Sequence, residues 1–131
     1  MSGHIYVIEF SEGTTKVGFS TKPERRLNQH ASGVAGFGIR IAQSWVSEAF
    51  DSAHQAEMVL ISWCALNCAG HRRSEYFTGI DFTGAVEWAK GLTSMSPGLL
   101  VSLQQHVRKQ VRQRAIARAR LANTFPAGEF R

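Results

Sequence analysis

Two short runs near the start of the chain, His4-Ile5-Tyr6-Val7-Ile8-Glu9-Phe10 and Thr14-Thr15-Lys16-Val17-Gly18-Phe19-Ser20, are dense in β-branched and aromatic residues. Only Ser11-Glu12-Gly13 separates them, and so short a connection between two strand-forming runs points to an antiparallel hairpin. A three-residue loop sets Phe10 opposite Thr14, Ile8 opposite Lys16 and Tyr6 opposite Gly18. Side chains alternate along a strand, so Tyr6 and Lys16 then share one face, diagonal to each other. The expectation is sensitive: one residue more or less in the loop would move them to opposite faces.

Thr21-Lys22-Pro23-Glu24 starts a helix, with Thr21 or Lys22 at the cap and Pro23 in the first turn, running to about His30 or Ala31. Arg26 and His30, four apart, stack on one side of it. Ser32-Gly33-Val34-Ala35-Gly36-Phe37-Gly38 reads as a glycine-rich loop, and residues 39–48 as a third strand. Ser52-Ala53-His54-Gln55 has capping-box spacing and opens a helix to about Leu66. Its inward stripe is Ala53, Ala56, Leu60 and Cys64, and Glu57 falls inside that stripe. A carboxylate there requires a cation, a strong donor or a cleft, because burying it alone is costly.

Arg72-Arg73-Ser74-Glu75-Tyr76-Phe77 follows a polar turn. A further helix spans about Phe82 to Leu92, and a last long one starts at Ser96-Pro97 with Leu99, Leu103, Val107, Val111 and Ala115 as its apolar stripe. The expected architecture is α+β: a three-stranded antiparallel sheet flanked by helices, plus a long basic C-terminal helix. Residues 1–92 form one unit, and 93–131 a basic helical extension with an unstructured tail from Pro126.

Charge is unevenly spread. Residues 1–96 carry eight Lys/Arg against nine Asp/Glu, whereas residues 97–131 carry seven against one. The whole excess of the chain, net +5, therefore lies in its last quarter, the pattern of an anion-binding extension. With 44% hydrophobic and 19% charged residues, the composition is that of an ordinary globular domain rather than a disordered chain. No signal-peptide pattern and no membrane-length apolar run is present, so a cytoplasmic protein with no membrane partner is expected. The two cysteines, Cys64 and Cys68, make no disulfide framework. A zinc site with His71 and either His54 or His106 is conceivable, but reduced, partly buried thiols are the better reading.

The order Tyr6, then Lys16-Val17-Gly18, then Arg26 and His30, then Glu57 resembles the GIY-YIG nuclease superfamily. His4-Ile5-Tyr6 stands at the first motif, with His4 in the glycine's place, and Lys16-Val17-Gly18 at the second, with lysine for tyrosine. The lysine version, with its later Glu75-Tyr76-Phe77, looks most like the phage-type branch. The resemblance covers residues 4–80. It implies a divalent-metal-dependent endonuclease in which Tyr6 is the general base and Arg26 binds phosphate. His30 would hold the phosphate or orient the tyrosine or water, and Glu57 would ligate Mg²⁺ or Mn²⁺. Gly18 is the structural glycine of the motif.

The residue types fit that chemistry independently. Phosphodiester hydrolysis needs a nucleophilic water, a proton acceptor and cations for the charge growing on phosphate oxygens. Arg26 offers a planar fork to phosphate, Glu57 a hard oxygen to Mg²⁺, and Lys16 a cation beside the phenol. Plainer readings stay open. Tyr6 could be a core tyrosine, Lys16 a solvated strand residue, and His30 a helix-end group favoured by the dipole. Arg25 competes with Arg26, and Glu75 is better read as a salt-bridge partner of Arg72 or Arg73 than as a support for the site. On the last helix, Arg108, Lys109, Arg112, Arg114, Arg118 and Arg120 are candidates for tracking phosphates, while its stripe docks on the domain or on a second copy.

The expected function is hydrolysis of nucleic acid, with DNA favoured over RNA, in a bacterium, phage or other mobile element. The alternative is a non-catalytic nucleic-acid-binding module on the same scaffold. An oligomerising protein with a basic helical zipper is a third possibility, which leaves Glu57 unexplained.

Overall fold

The computed structural model describes residues 2–124; the tail expected to be unstructured from Pro126 lies outside the described residues. Its elements are β1 (His4–Phe10), β2 (Thr15–Ser20), α1 (Pro23–Ala35), β3 (Ile41–Val46), α2 (Ala53–Asn67), β4 (Arg72–Arg73), β5 (Tyr76–Phe77), α3 (Phe82–Leu92) and α4 (Pro97–Thr124).

The hairpin forms in the expected register, with Tyr6 paired to Gly18 and Ile8 to Lys16. The Phe10 N–H donates to Thr14 O at 2.8 Å, closing the three-residue loop. Gly13 supplies its φ of +101°, and the Glu12 carboxylate accepts from both the N–H and the hydroxyl of Thr14.

The sheet has five strands, not three. All pairs are antiparallel, in the order β3-β1-β2-β5-β4. The two extra strands are two residues each and meet at a turn in which Ser74 takes φ 57°. A two-residue strand has no alternation to detect, so the sequence pattern could not reveal it. The glycine-rich segment also differs from expectation, because α1 continues through Ser32 and Gly33 to Ala35. Val34 holds this last turn down by packing, with Leu27, against Tyr6, Ile8 and Phe10.

Alternation on β1 separates two cores. Ile5 and Val7, with Val17, face the layer of α2, α3 and α4, while Tyr6, Ile8 and Phe10 face α1. The expected stripe of α2 is buried at Ala53, Ala56, Leu60 and Cys64, joined by Val59. The capping box is not made: Ser52 gives no side-chain cap, and Gln55 donates instead to Gln104 on α4. Asp81 caps α3 by accepting from the Gly84 N–H at 2.9 Å, and Trp63 stacks on Trp88 between α2 and α3.

The packed face of α4 keeps Leu103 and Val107 of the expected stripe but takes Leu100 and Gln104 in place of Leu99. Leu100, Gln104 and Val107 are buried, whereas Leu99 is 53% exposed. A four-residue repeat drifts around a helix of 3.6 residues per turn, so it cannot stay on one face through four turns. Gln55 meets Gln104 near the start of α2, and Arg114 donates to Leu66 O near its end, so the two helices run parallel. That carbonyl is among those left open at a helix C-terminus, where a cation is also favoured by the dipole. Beyond Arg114, α4 continues to Thr124, which at 1.5 Å per residue is an overhang of about 15 Å. Residues 115–121 are exposed on it. Among the described residues no helix is long and apolar enough to cross a membrane.

Candidate active site

Tyr6 leaves β1 toward α1, and its ring lies across the backbone of Gly18. A Cβ at Gly18 would stand 2.3 Å from the Tyr6 hydroxyl oxygen and 2.4 Å from Cζ. The absent side chain is therefore the space the phenol occupies. Tyr6 is 1% exposed, and its hydroxyl is 3.0 Å from His30 Nε2. Arg26, one turn before His30 on α1, also reaches the phenol. Arg25 lies with Glu24 and Asn28 on another side of the helix, so Arg26 rather than Arg25 is the arginine beside Tyr6.

Lys16 occupies the expected diagonal position and is 5% exposed. Its ammonium donates to Val17 O at 2.9 Å, lies 3.9 Å from the Glu75 carboxylate and stands over the Tyr76 ring. Glu75 thus pairs with Lys16, not with Arg72 or Arg73. The reason is the unforeseen β5: its pairing with β2 carries the Ser74-Glu75 turn alongside Lys16.

Glu57 approaches from α2. Because β5 pairs only with Thr15 and Lys16, the outer edge of β2 is open beyond them. The Val17 N–H on that edge is taken by Glu75 O at 3.2 Å, and the Phe19 N–H is directed at the Glu57 carboxylate. Glu57 keeps 15% of its side chain exposed and has His54 Nε2 at 3.9 Å. His4, in turn, hydrogen-bonds Ser47 O through Nδ1 at 2.8 Å, which ties the end of β1 to the chain following β3.

Electrostatics in the cleft are set mainly by burial. It raises the Tyr6 phenol above its ordinary value, against the opposing effect of Arg26. It lowers Lys16, against the attraction of Glu75 and Glu57. His30 is pushed below its ordinary value by burial and then by Lys16 and Arg26. Glu57 is raised by burial, with His54 and Lys16 opposing. At neutral pH the cleft accordingly presents a neutral phenol bonded to a neutral imidazole. The neighbouring cations do not suffice to make Tyr6 a phenolate.

The remaining expected residues lie elsewhere. Arg108, Lys109, Arg112, Arg118 and Arg120 are exposed along α4, whereas Arg114 is half-buried and engaged with Leu66. Cys64 and Cys68 are free and buried, with the Cys64 thiol pushed up to about 12 by burial. His54, beside Glu57, was missed as a neighbour of the site. The three-residue step from one to the other on a helix was the available signal.

The T5orf172 domain family model matches residues 3–93. The chain belongs to the T5orf172 domain family. The assignment to the GIY-YIG superfamily and its phage-type branch is thereby corrected, because the model that fits is that of a different family. Its short motifs were a poor discriminator. A tyrosine across from a glycine and a lysine on the adjoining strand are what a hairpin of this register accommodates, whatever the family. No curated protein and no solved structure matches the chain. Membership in the T5orf172 domain family supports a nucleic-acid-related function of nuclease-like, phage-associated character. The T5orf172 match ends before α4, so the basic helix and its contact with α2 are additions to the matched region.

Proposed function

We propose that this protein is a divalent-metal-dependent endonuclease that hydrolyses phosphodiester bonds, with DNA as the favoured substrate. The observation that carries the reading is the Tyr6–His30 hydrogen bond, beside Arg26 and Lys16 and within electrostatic reach of Glu57. A structural tyrosine needs one partner for its hydroxyl. It does not need two cations, a lowered imidazole and a carboxylate around it.

In this reading Arg26 binds two phosphate oxygens through its fork, and Lys16 places a second positive charge against the phosphate. The Tyr6 oxygen accepts a proton from the attacking water while its own proton passes to His30 Nε2. The new P–O bond forms as the bond to the departing ester oxygen breaks. A neutral His30 is the form able to accept that proton, and the lowered value of the imidazole keeps it available near pH 7.

Glu57 fits a Mg²⁺ or Mn²⁺ ion: its carboxylate is partly exposed and hard, and Mg²⁺ is commonly held by one or two carboxylates with waters and substrate phosphates. Such an ion, when bound, would polarise the phosphate and stabilise the departing oxygen. Among the described residues no group of three or more His, Cys, Asp or Glu side chains could enclose a metal. That Glu57 alone is assigned to the ion also keeps a second reading, a non-catalytic nucleic-acid-binding module.

Labelled single- and double-stranded DNA and RNA, incubated with Mg²⁺, Mn²⁺ or EDTA, separate the two. Metal-dependent cutting that Glu57→Ala abolishes supports the nuclease. Binding of the same strands with no cutting by the unmodified protein favours the binding module.

A further inference from the structure

Where α4 leaves the region matched by the family, it forms with α2 a groove of about 360 Å³. Its apolar lining comes from Met58 and Ile61 on α2 and Val111 on α4, with Ser62 and Gln104 as uncharged polar neighbours. Arg72 of β4 and Arg108 and Arg112 of α4 stand around it. Among the described residues neither Arg108 nor Arg112 meets a carboxylate; the Arg72 guanidinium lies over the Phe77 ring, and its Nε donates to the nearby Ser74 O. Three cations around an uncharged apolar floor are an unusual way to finish a helix–helix contact. Packing alone would close the floor, and solvation alone would not gather the guanidiniums.

We propose that this groove holds an unpaired nucleotide of the nucleic-acid substrate, its phosphate on Arg72, Arg108 and Arg112 and its base against Met58, Ile61 and Val111. The inference rests on the nuclease reading above and gives it a substrate class: DNA with a single-stranded or displaced segment. A duplex offers a protein surface mainly its sugar and phosphate edges, to which an apolar floor adds nothing. An unstacked base brings an apolar face that needs cover, and guanidinium planes as well as apolar side chains supply it. Continuity with the cleft favours nucleic acid over an acidic protein segment. The β4–β5 hairpin that contributes Arg72 to the groove also contributes Glu75 and Tyr76 to the surroundings of Lys16. One strand passing along that hairpin would meet both.

The test uses the full chain in EDTA, so that nothing is cut. Fluorescence anisotropy gives affinities for a labelled single-stranded oligonucleotide, its blunt duplex and a Glu/Leu-rich acidic peptide. The variants are Arg72→Ala and Met58→Glu, both at exposed positions, with thermal melting as the folding control. The expected result is a single-strand affinity about tenfold weaker in each variant, the scale of one lost base contact for Met58→Glu and of one lost charge-assisted phosphate contact for Arg72→Ala, with duplex affinity changed less than twofold. A strand carrying 5-iodouracil should also photocrosslink to a peptide of α2 or α4, which requires no variant to fold. Equal weakening on single strand and duplex, no change on either, or preferential binding of the acidic peptide overturns the proposal. The two readings fail separately. Cleavage that needs Glu57 but ignores the groove variants sinks only the groove. Groove-dependent binding without any Glu57-dependent cleavage sinks only the nuclease.

Discussion

Replacing Gly18 by alanine tests the centre of the site with one added carbon. The new Cβ would lie 2.3 Å from the Tyr6 oxygen and 2.4 Å from Cζ, more than an ångström inside ordinary contact distance. The phenol cannot swing away freely, because the ring is buried among Ile8, Phe10 and the α1 residues and its hydroxyl is bonded to His30. Overpacking of this kind costs about 1–3 kcal/mol. Loss of the Tyr6–His30 hydrogen bond adds about 0.5–1.5 kcal/mol. For a chain of this size a total of about 2–4 kcal/mol corresponds to a fall in Tm of roughly 8–16 °C. The effect on turnover should be larger than the effect on stability. A displacement of about 1 Å at a proton-transferring group costs about a hundredfold in rate. The assay is the Mg²⁺-dependent cleavage rate at a temperature where circular dichroism shows Gly18→Ala still folded, alongside its thermal melt. A variant that melts with the wild type and cuts at the wild-type rate would refute the crowding at Gly18; one that melts lower yet still cuts at the wild-type rate would refute the role of Tyr6.

Three further outcomes follow from the same geometry. Glu57→Gln should abolish cleavage yet raise stability at pH 7. Glu57 has its folded value above its unfolded one, so wild-type stability falls as pH rises from about 4.5 through the folded value. An uncharged amide at this position removes that loss, and urea melts at pH 4 and pH 7 that change identically in both proteins would contradict it. His30 has its value lowered, so kcat/KM should be flat near neutrality and fall on an acid limb lying below pH 6.5. A limb centred well above 6.5 in the pH–rate profile would rule out neutral His30 as the acceptor. Arg114→Ala should lower stability by about 1 kcal/mol through loss of the Leu66 contact, leaving DNA affinity nearly unchanged. Arg112→Ala should do the reverse and flatten the dependence of affinity on salt, and chemical melts with binding titrations distinguish the pair.

Much of this architecture was written in local pattern. The β1–β2 register followed from the length of one loop, and α3 begins and ends at the expected residues because Phe82–Leu92 has clear helical spacing bounded by a capping aspartate. What local pattern could not carry was anything decided by a distant partner. Strands β4 and β5 exist because β2 has an edge to pair with. Gln55 abandons the capping role because Gln104 stands opposite it, and α4 presents Leu100 rather than Leu99 because α2 chooses the face.

The cleft divides along the same line, and that division bears on its chemistry. Tyr6 and Lys16 come from a hairpin, Arg26 and His30 from the helix that follows it; each pair was legible from spacing, whereas their meeting was expected only from the family resemblance. Glu57 was legible only as an anomaly, a carboxylate in an apolar stripe, since its place depends on where β5 stops. Had the β2–β5 pairing continued three residues further, as far as Phe19, the Phe19 N–H would have been taken by a strand and no open edge would face Glu57. The short hairpin thus does three things at once. It ends early enough to leave the edge to Glu57, places Glu75 beside Lys16, and sends Arg72 toward α4. The proposed cation site, the surroundings of Lys16 and the α2–α4 groove are thus linked through residues 72–77, a segment whose two-residue strands local pattern could not reveal.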